Sequence, residues 1–230
     1  MAHPLRYLIA PLLAFGAVLL APGRAAAAEQ AVRFTVFASR ATSGLTFSPR
    51  VGQPAVPVVF YPTARSPRYE YRGPMPLRFT DAKSGAVVAE ATVPPTIADA
   101  LLLLVPLEPA PAAGLRYQVF VLDDTAARQA PGSLALINFS GMELAGTIDG
   151  QPVTLTAGLN PVQPIGRAAA LLLRTTVKGR SYQAYAGKIE LKAAERALLL
   201  LLPPFYKGSL EVQSRMLVDT PPRAPAASAR

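Results

Sequence analysis

The side chains best suited to gripping a ligand in this 230-residue chain gather in one short stretch. Tyr61, Arg65, Arg68, Tyr69, Tyr71 and Arg72 form its one concentration of aromatic and cationic groups. A guanidinium presents a fork of N–H donors to anionic groups, and aromatic rings offer faces to cations and sugars. Arg65, Arg68, Tyr69 and Arg72 are therefore the candidate ligand-binding residues. Tyr71 is expected to turn inward as a core anchor, because Tyr185 repeats it within a second Tyr-x-Gly.

The remaining inventory argues against catalysis. There is no cysteine, and the single histidine is His3. Without it the chain has no Ser-His-Asp triad, no Cys-His pair, no thiol chemistry and no His or Cys zinc ligand. No Gly-rich phosphate loop follows a strand and opens a helix. Carboxylates remain, but a glycosidase needs two acids set across a cleft, and the fourteen acids here show no paired signature. A protein that is not an enzyme, with no cofactor and no metal, is expected. Asp123-Asp124-Thr125 and Asp219-Thr220 carry oxygens of the kind Ca²⁺ takes. With no Asp-x-Asp-x-Asp-Gly loop beside them, they read as the ends of strands bonding to turn amides. Asn138-Phe139-Ser140 has the form of a glycosylation acceptor and reads as an alternating strand position.

The first 28 residues read as a secretory signal peptide. Arg6 precedes an apolar run over 8–20, Pro22-Gly23 breaks it, and Ala25-Ala26-Ala27-Ala28-Glu29 offers small residues for cleavage after Ala27 or Ala28. Pro11 and Pro22 enclose about half of the ~20 apolar residues a membrane span needs. Export to the periplasm or the extracellular space follows, with no transmembrane span after cleavage. Cleavage leaves 21 Lys and Arg against 14 Asp and Glu, a net charge of +7. That excess favours acidic partners: an anionic envelope polymer or another envelope protein. The cations stand singly among apolar residues with no run of five or six, and nucleic acid is not an expected partner.

The elements that must hold these residues read as short strands. There are 24 prolines, about twice the usual 5%, and proline punctuates strands and turns better than helices. The organising stretch is Arg196-Ala197-Leu198-Leu199-Leu200-Leu201-Leu202-Pro203, which echoes Asp99-Ala100-Leu101-Leu102-Leu103-Leu104-Val105-Pro106. Each copy is too short for a span and fits a buried strand. Other matches keep the same order: Gly52-Gln53-Pro54 with Gly150-Gln151-Pro152, Tyr71-Arg72-Gly73 with Tyr185-Ala186-Gly187, and residues 115–125 with 210–220. Residues 32–37, 56–61, 77–80, 86–89, 133–139, 144–148, 153–156 and 181–191 read as further strands, 64–76 as a loop, and 168–177 as strand rather than helix. A duplicated unit of this size implies an all-β chain with two tandem immunoglobulin- or fibronectin-like β-sandwich domains, over 31–128 and 131–220. A disordered tail over 221–230 completes the expectation.

A leader, a sandwich with Tyr-x-Gly and an Ala-Leu-Leu-Leu-Leu strand, and Pro131-Gly132-Ser133 running to Ile137-Asn138-Phe139-Ser140-Gly141 and Leu144-Ala145-Gly146 together carry a resemblance. The chain is similar to exported two-domain β-sandwich proteins of Gram-negative bacteria that have no assigned activity. That resemblance implies location and fold and no catalytic residue. The expected function is non-catalytic binding or scaffolding in the cell envelope. The alternative rests on a second resemblance, to periplasmic pilus assembly chaperones, which bind subunits by β-strand addition.

Overall fold

The computed structural model describes residues 29–40 and 42–221, and every regular element among them is a β-strand. The leader at 1–28 and the tail from 222 lie outside the described residues. The first half of the chain contributes β1 (Gln30–Ala38), β2 (Leu45–Phe47), β3 (Val56–Pro57), β4 (Tyr69–Gly73), β5 (Leu77–Asp81), β6 (Val87–Ala91), β7 (Asp99–Pro106) and β8 (Tyr117–Asp123). The second contributes β9 (Ser133–Asn138), β10 (Leu144–Ile148), β11 (Gln151–Leu155), β12 (Gly158–Leu159), β13 (Gln163–Pro164), β14 (Ala168–Val177), β15 (Arg180–Glu190), β16 (Arg196–Leu202) and β17 (Gln213–Asp219).

Four sheets result. In the first half, β4-β1-β7-β8 faces β3-β2-β5-β6; in the second, β12-β9-β16-β17, with β13 also on β9, faces β11-β10-β14-β15. The halves share a topology that includes an uncommon feature. Their first strands pair in parallel with their leucine strands, β1 with β7 and β9 with β16, and a final antiparallel strand closes each edge. Register agrees too: Leu101 stands opposite Leu122 as Leu198 stands opposite Leu217. The Gly-Gln-Pro match also holds its place, ahead of β3 in the β2–β3 connection and at the β10–β11 turn.

The leucine strands are apolar throughout because both of their faces are covered. Side chains alternate across a strand. Ala100, Leu102 and Leu104 therefore enter the core of the first half, beside Phe34, Phe47, Leu77 and Phe79. Leu199 and Leu201 enter the core of the second, beside Leu136, Leu144 and Leu173. The alternate residues, Leu101, Leu103, Leu198 and Leu200, meet in a third core with Phe37, Ala135, Ile137 and Leu217. The two leucine sheets thus lie back to back, and the molecule is a stack of four β layers.

Each end of this stack has its own chemistry. One pole gathers the starts of β1, β7, β9 and β16 and the ends of β8 and β17. There Asp99, Asp124 and Arg196 are buried. The opposite pole carries the loops that follow β7 and β16.

Three features depart from the expectations or refine them. The stretch 64–76 is not all loop, since β4 runs antiparallel to β1 at the sheet edge. Tyr71 and Tyr185 are not equivalent: Tyr71 lies on β4 beside the first strand, whereas Tyr185 lies on β15 in an outer sheet. Both nonetheless fold their rings over the glycine two residues on, so the echo is a local device for covering an edge glycine. Finally, Asn138 is buried, and its side chain binds Met142 O and the amide and hydroxyl of Ser140. It caps the strand end and is closed to glycosylation.

Candidate functional site

The four residues proposed from sequence do not share a surface. Arg65 is a structural cation with a side chain only 8% exposed; its Nη1 donates to Asp124 Oδ1 at 2.5 Å and its Nε lies 3.2 Å from Asp219 Oδ2. That second contact is ionic only, as Nε and Nη2 make no hydrogen bond. Arg68 is spent on Asp99, at 2.5 Å. Tyr69 points into the core of the first half, its ring 5.5 Å from Phe34 and 5.3 Å from Phe47, and its hydroxyl accepts from Val59 N at 2.8 Å. Arg68 and Arg72 are the exposed members of the four. Tyr71 does turn inward and donates to Pro74 O at 2.6 Å, and burial pushes its phenol up. The physical reason for the split is the pleat of β4, which sends 69 and 71 inward and 70 and 72 outward.

Arg65 belongs instead to a buried clamp between the halves. Arg196 opens β16 with no exposed side chain surface, and its guanidinium reaches Asp219 at 3.0 and 3.2 Å and Asp124 at 2.9 Å. Its Nη1 also donates to the carbonyls of Asp124 and Gln129, at 3.1 and 3.3 Å. Asp124 ends the first half and Asp219 the second, so one guanidinium ties the closing strands together. Burial pushes the Asp124 carboxyl up, against the pull of Arg65 and Arg196. These are the aspartates whose oxygens suggested calcium; here guanidinium groups occupy them, and no cluster of metal-binding side chains occurs among the described residues.

Arg72 has different company, which the sequence did not reveal. On the exposed outer face of β4 it stands in register with Ala31 of β1, and on its other side a single parallel bridge sets Arg50 beside it. The Arg72 amide donates to Pro49 O at 2.8 Å, which fixes the Pro49-Arg50 turn against the sheet edge. The next row pairs Glu70 with Arg33, and Arg33 is bridged to Asp99 at 2.7 Å. Directly opposed residues on adjacent strands point to the same face. Arg50, Arg72 and Arg33 therefore converge on one groove of about 690 Å³, with Gln53, Glu70 and Ala98 completing its lining. Among the described residues neither Arg50 nor Arg72 makes a salt bridge. The groove offers fixed positive charge, and its lining holds no histidine, cysteine, serine or threonine.

The signal for Arg50 was weak: one cation in a Pro-Arg-Val-Gly turn, twenty-two residues from its partner in sequence. Only the bridge across the edge of β4 joins the two. Compared with protein-family models and with curated proteins, the chain matches none.

Proposed function

We propose that this is an exported, non-catalytic binding or scaffolding protein of the cell envelope, built as two tandem immunoglobulin- or fibronectin-like sandwiches behind a cleaved signal peptide. The kinship with those folds is one of layered architecture, since a parallel pair at the centre of each inner sheet is not part of the immunoglobulin strand order. Its ligand is an anionic envelope glycan, gripped in the Arg33–Arg50–Arg72 groove. The observation that carries the reading is the convergence of these three guanidiniums on one open groove, two of them without a carboxylate partner. An arginine fork suits the carboxylates and sulfates of acidic polymers.

The test is calorimetric titration of the chain from Glu29 onward with polygalacturonate. Binding that weakens with added salt, and that falls at least about tenfold in the double variant Arg50→Glu/Arg72→Glu, supports the groove. Equal affinity in that variant removes it. The strand-addition reading has less support. The longest free edge, β15, carries Arg180, Lys188 and Glu190, and charges along an edge discourage pairing with another strand.

A further inference from the structure

The loop after β16, residues 203–212, occupies the same place in its half as residues 107–116 do after β7. The two differ at their tips. The earlier loop is made largely of alanine and proline, whereas the later one reads Pro203-Pro204-Phe205-Tyr206-Lys207-Gly208. Phe205 is 73% and Tyr206 74% exposed, with ring centroids 4.9 Å apart and planes crossing at 78°. Packing demands are shared between duplicated halves, so an aromatic pair present in one alone, and left uncovered among the described residues, is there for another reason.

The loop is held rather than slack. Ser209 N donates to Tyr206 O at 3.1 Å, and Gly208 at φ 86° takes the left-handed place this turn requires. Gln213 Nε2 donates to Pro203 O at 2.7 Å, and two prolines stiffen the entry. Cations surround the tip. Lys207 follows it directly, and Arg40 and Arg215 line the hollow of about 510 Å³ beneath Phe205. The same two arginines line a second hollow leading to the exposed Tyr61. Glu108 is bound by Arg40, which leaves Glu211 as the other nearby acid.

We propose that this pole docks on an anionic lipid surface, with Phe205 and Tyr206 inserted at the headgroup boundary and Lys207 and Arg215 on the headgroups. Crossed rings make a wedge rather than the flat platform on which a sugar stacks. A phenol beside a phenyl suits an interface that is apolar on one side and wet on the other. Basic residues flanking such a wedge add attraction to anionic headgroups. This surface lies at the pole opposite the Arg33–Arg50–Arg72 groove and does not depend on it.

The chain contains no tryptophan, so Phe205→Trp supplies a single fluorescent reporter. The chain from Glu29 onward holds all the strands found among the described residues and lacks the apolar run at 8–20, which would itself seek lipid. Vesicles of phosphatidylglycerol and phosphatidylcholine should shift the indole emission of this variant to the blue, and brominated acyl chains should quench it. Vesicles of phosphatidylcholine alone should do neither. Wild type should sediment with the anionic vesicles, and Phe205→Ser/Tyr206→Ser/Lys207→Glu should bind them at least about tenfold more weakly. Unmoved emission, or equal sedimentation of the triple variant, overturns the proposal. So does a blue shift produced by soluble polygalacturonate and not by vesicles, which would make the pair a sugar site.

Discussion

Arg196 places one guanidinium between two carboxylates and two carbonyls at the meeting of the halves. Breaking a buried ion pair costs about 3–5 kcal/mol, and because Arg65 still faces both Asp124 and Asp219 the lower end applies to this cluster. Arg196→Met is accordingly expected to cost about 3 kcal/mol of stability, read as a lower urea midpoint. Arg72→Glu, on an exposed edge, is expected to stay within about 0.5 kcal/mol of wild type. Asp81 gives a pH signature. The Ser84 amide, then the Arg116 guanidinium, hold its carboxyl well below the usual carboxylate range. A folded value depressed below the unfolded one, about 3.9, stabilises the fold above that pH, and the contribution disappears as pH falls through the folded value. Urea midpoints of Asp81→Ala should therefore lie below wild type at neutral pH and converge with it in acid. At this scale the sequence was partly legible. Tyr71 was recognisable as a core anchor, and the matched Asp124 and Asp219 were visible as strand ends. Arg65 was misread because burial of a lone arginine depends on aspartates 59 and 154 residues away, which no local pattern encodes.

Strands were more legible than side-chain roles. Glycine-bearing turns between paired apolar runs mark β5 with β6 and β10 with β11 without a structure, because a hairpin turn rests on local geometry. The Ala-rich 168–177, whose composition also allows a helix, is strand β14 because β10 and β15 flank it with backbone partners on both sides. That contact has a demanding point. A Cβ on Gly146 of β10 would overlap the carbonyl oxygen of Leu172 on β14. Gly146→Ala is expected to cost about 1–3 kcal/mol by forcing the strands apart, read as a lower urea midpoint. β4 was hidden inside an apparent loop, since its charges and the flanking Pro67 and Pro74 disguise an edge strand whose pairing with β1 spans some forty residues.

At the scale of the whole molecule, the third core decides how the halves behave. Phe37, Leu101, Leu103, Leu198 and Leu200 are buried only because the two inner sheets meet. The halves should unfold together. A single calorimetric transition is expected, and Leu200→Ala should shift it as one unit, by about 2–5 kcal/mol. Two resolved transitions would show that each half is stable alone. The leucine runs announced buried strands in the sequence. That both faces are buried by a second sandwich was not legible, as a run of leucines does not say what covers it. The poles have a practical consequence. The chain enters β1, passes between the halves and leaves β17 at the same pole. A tag, a tether or a surface linkage attached ahead of residue 29 or beyond residue 221 therefore holds the molecule by its charged base and presents Phe205 and Tyr206 outward. Either terminus is a usable handle for immobilising the protein with its aromatic tip free.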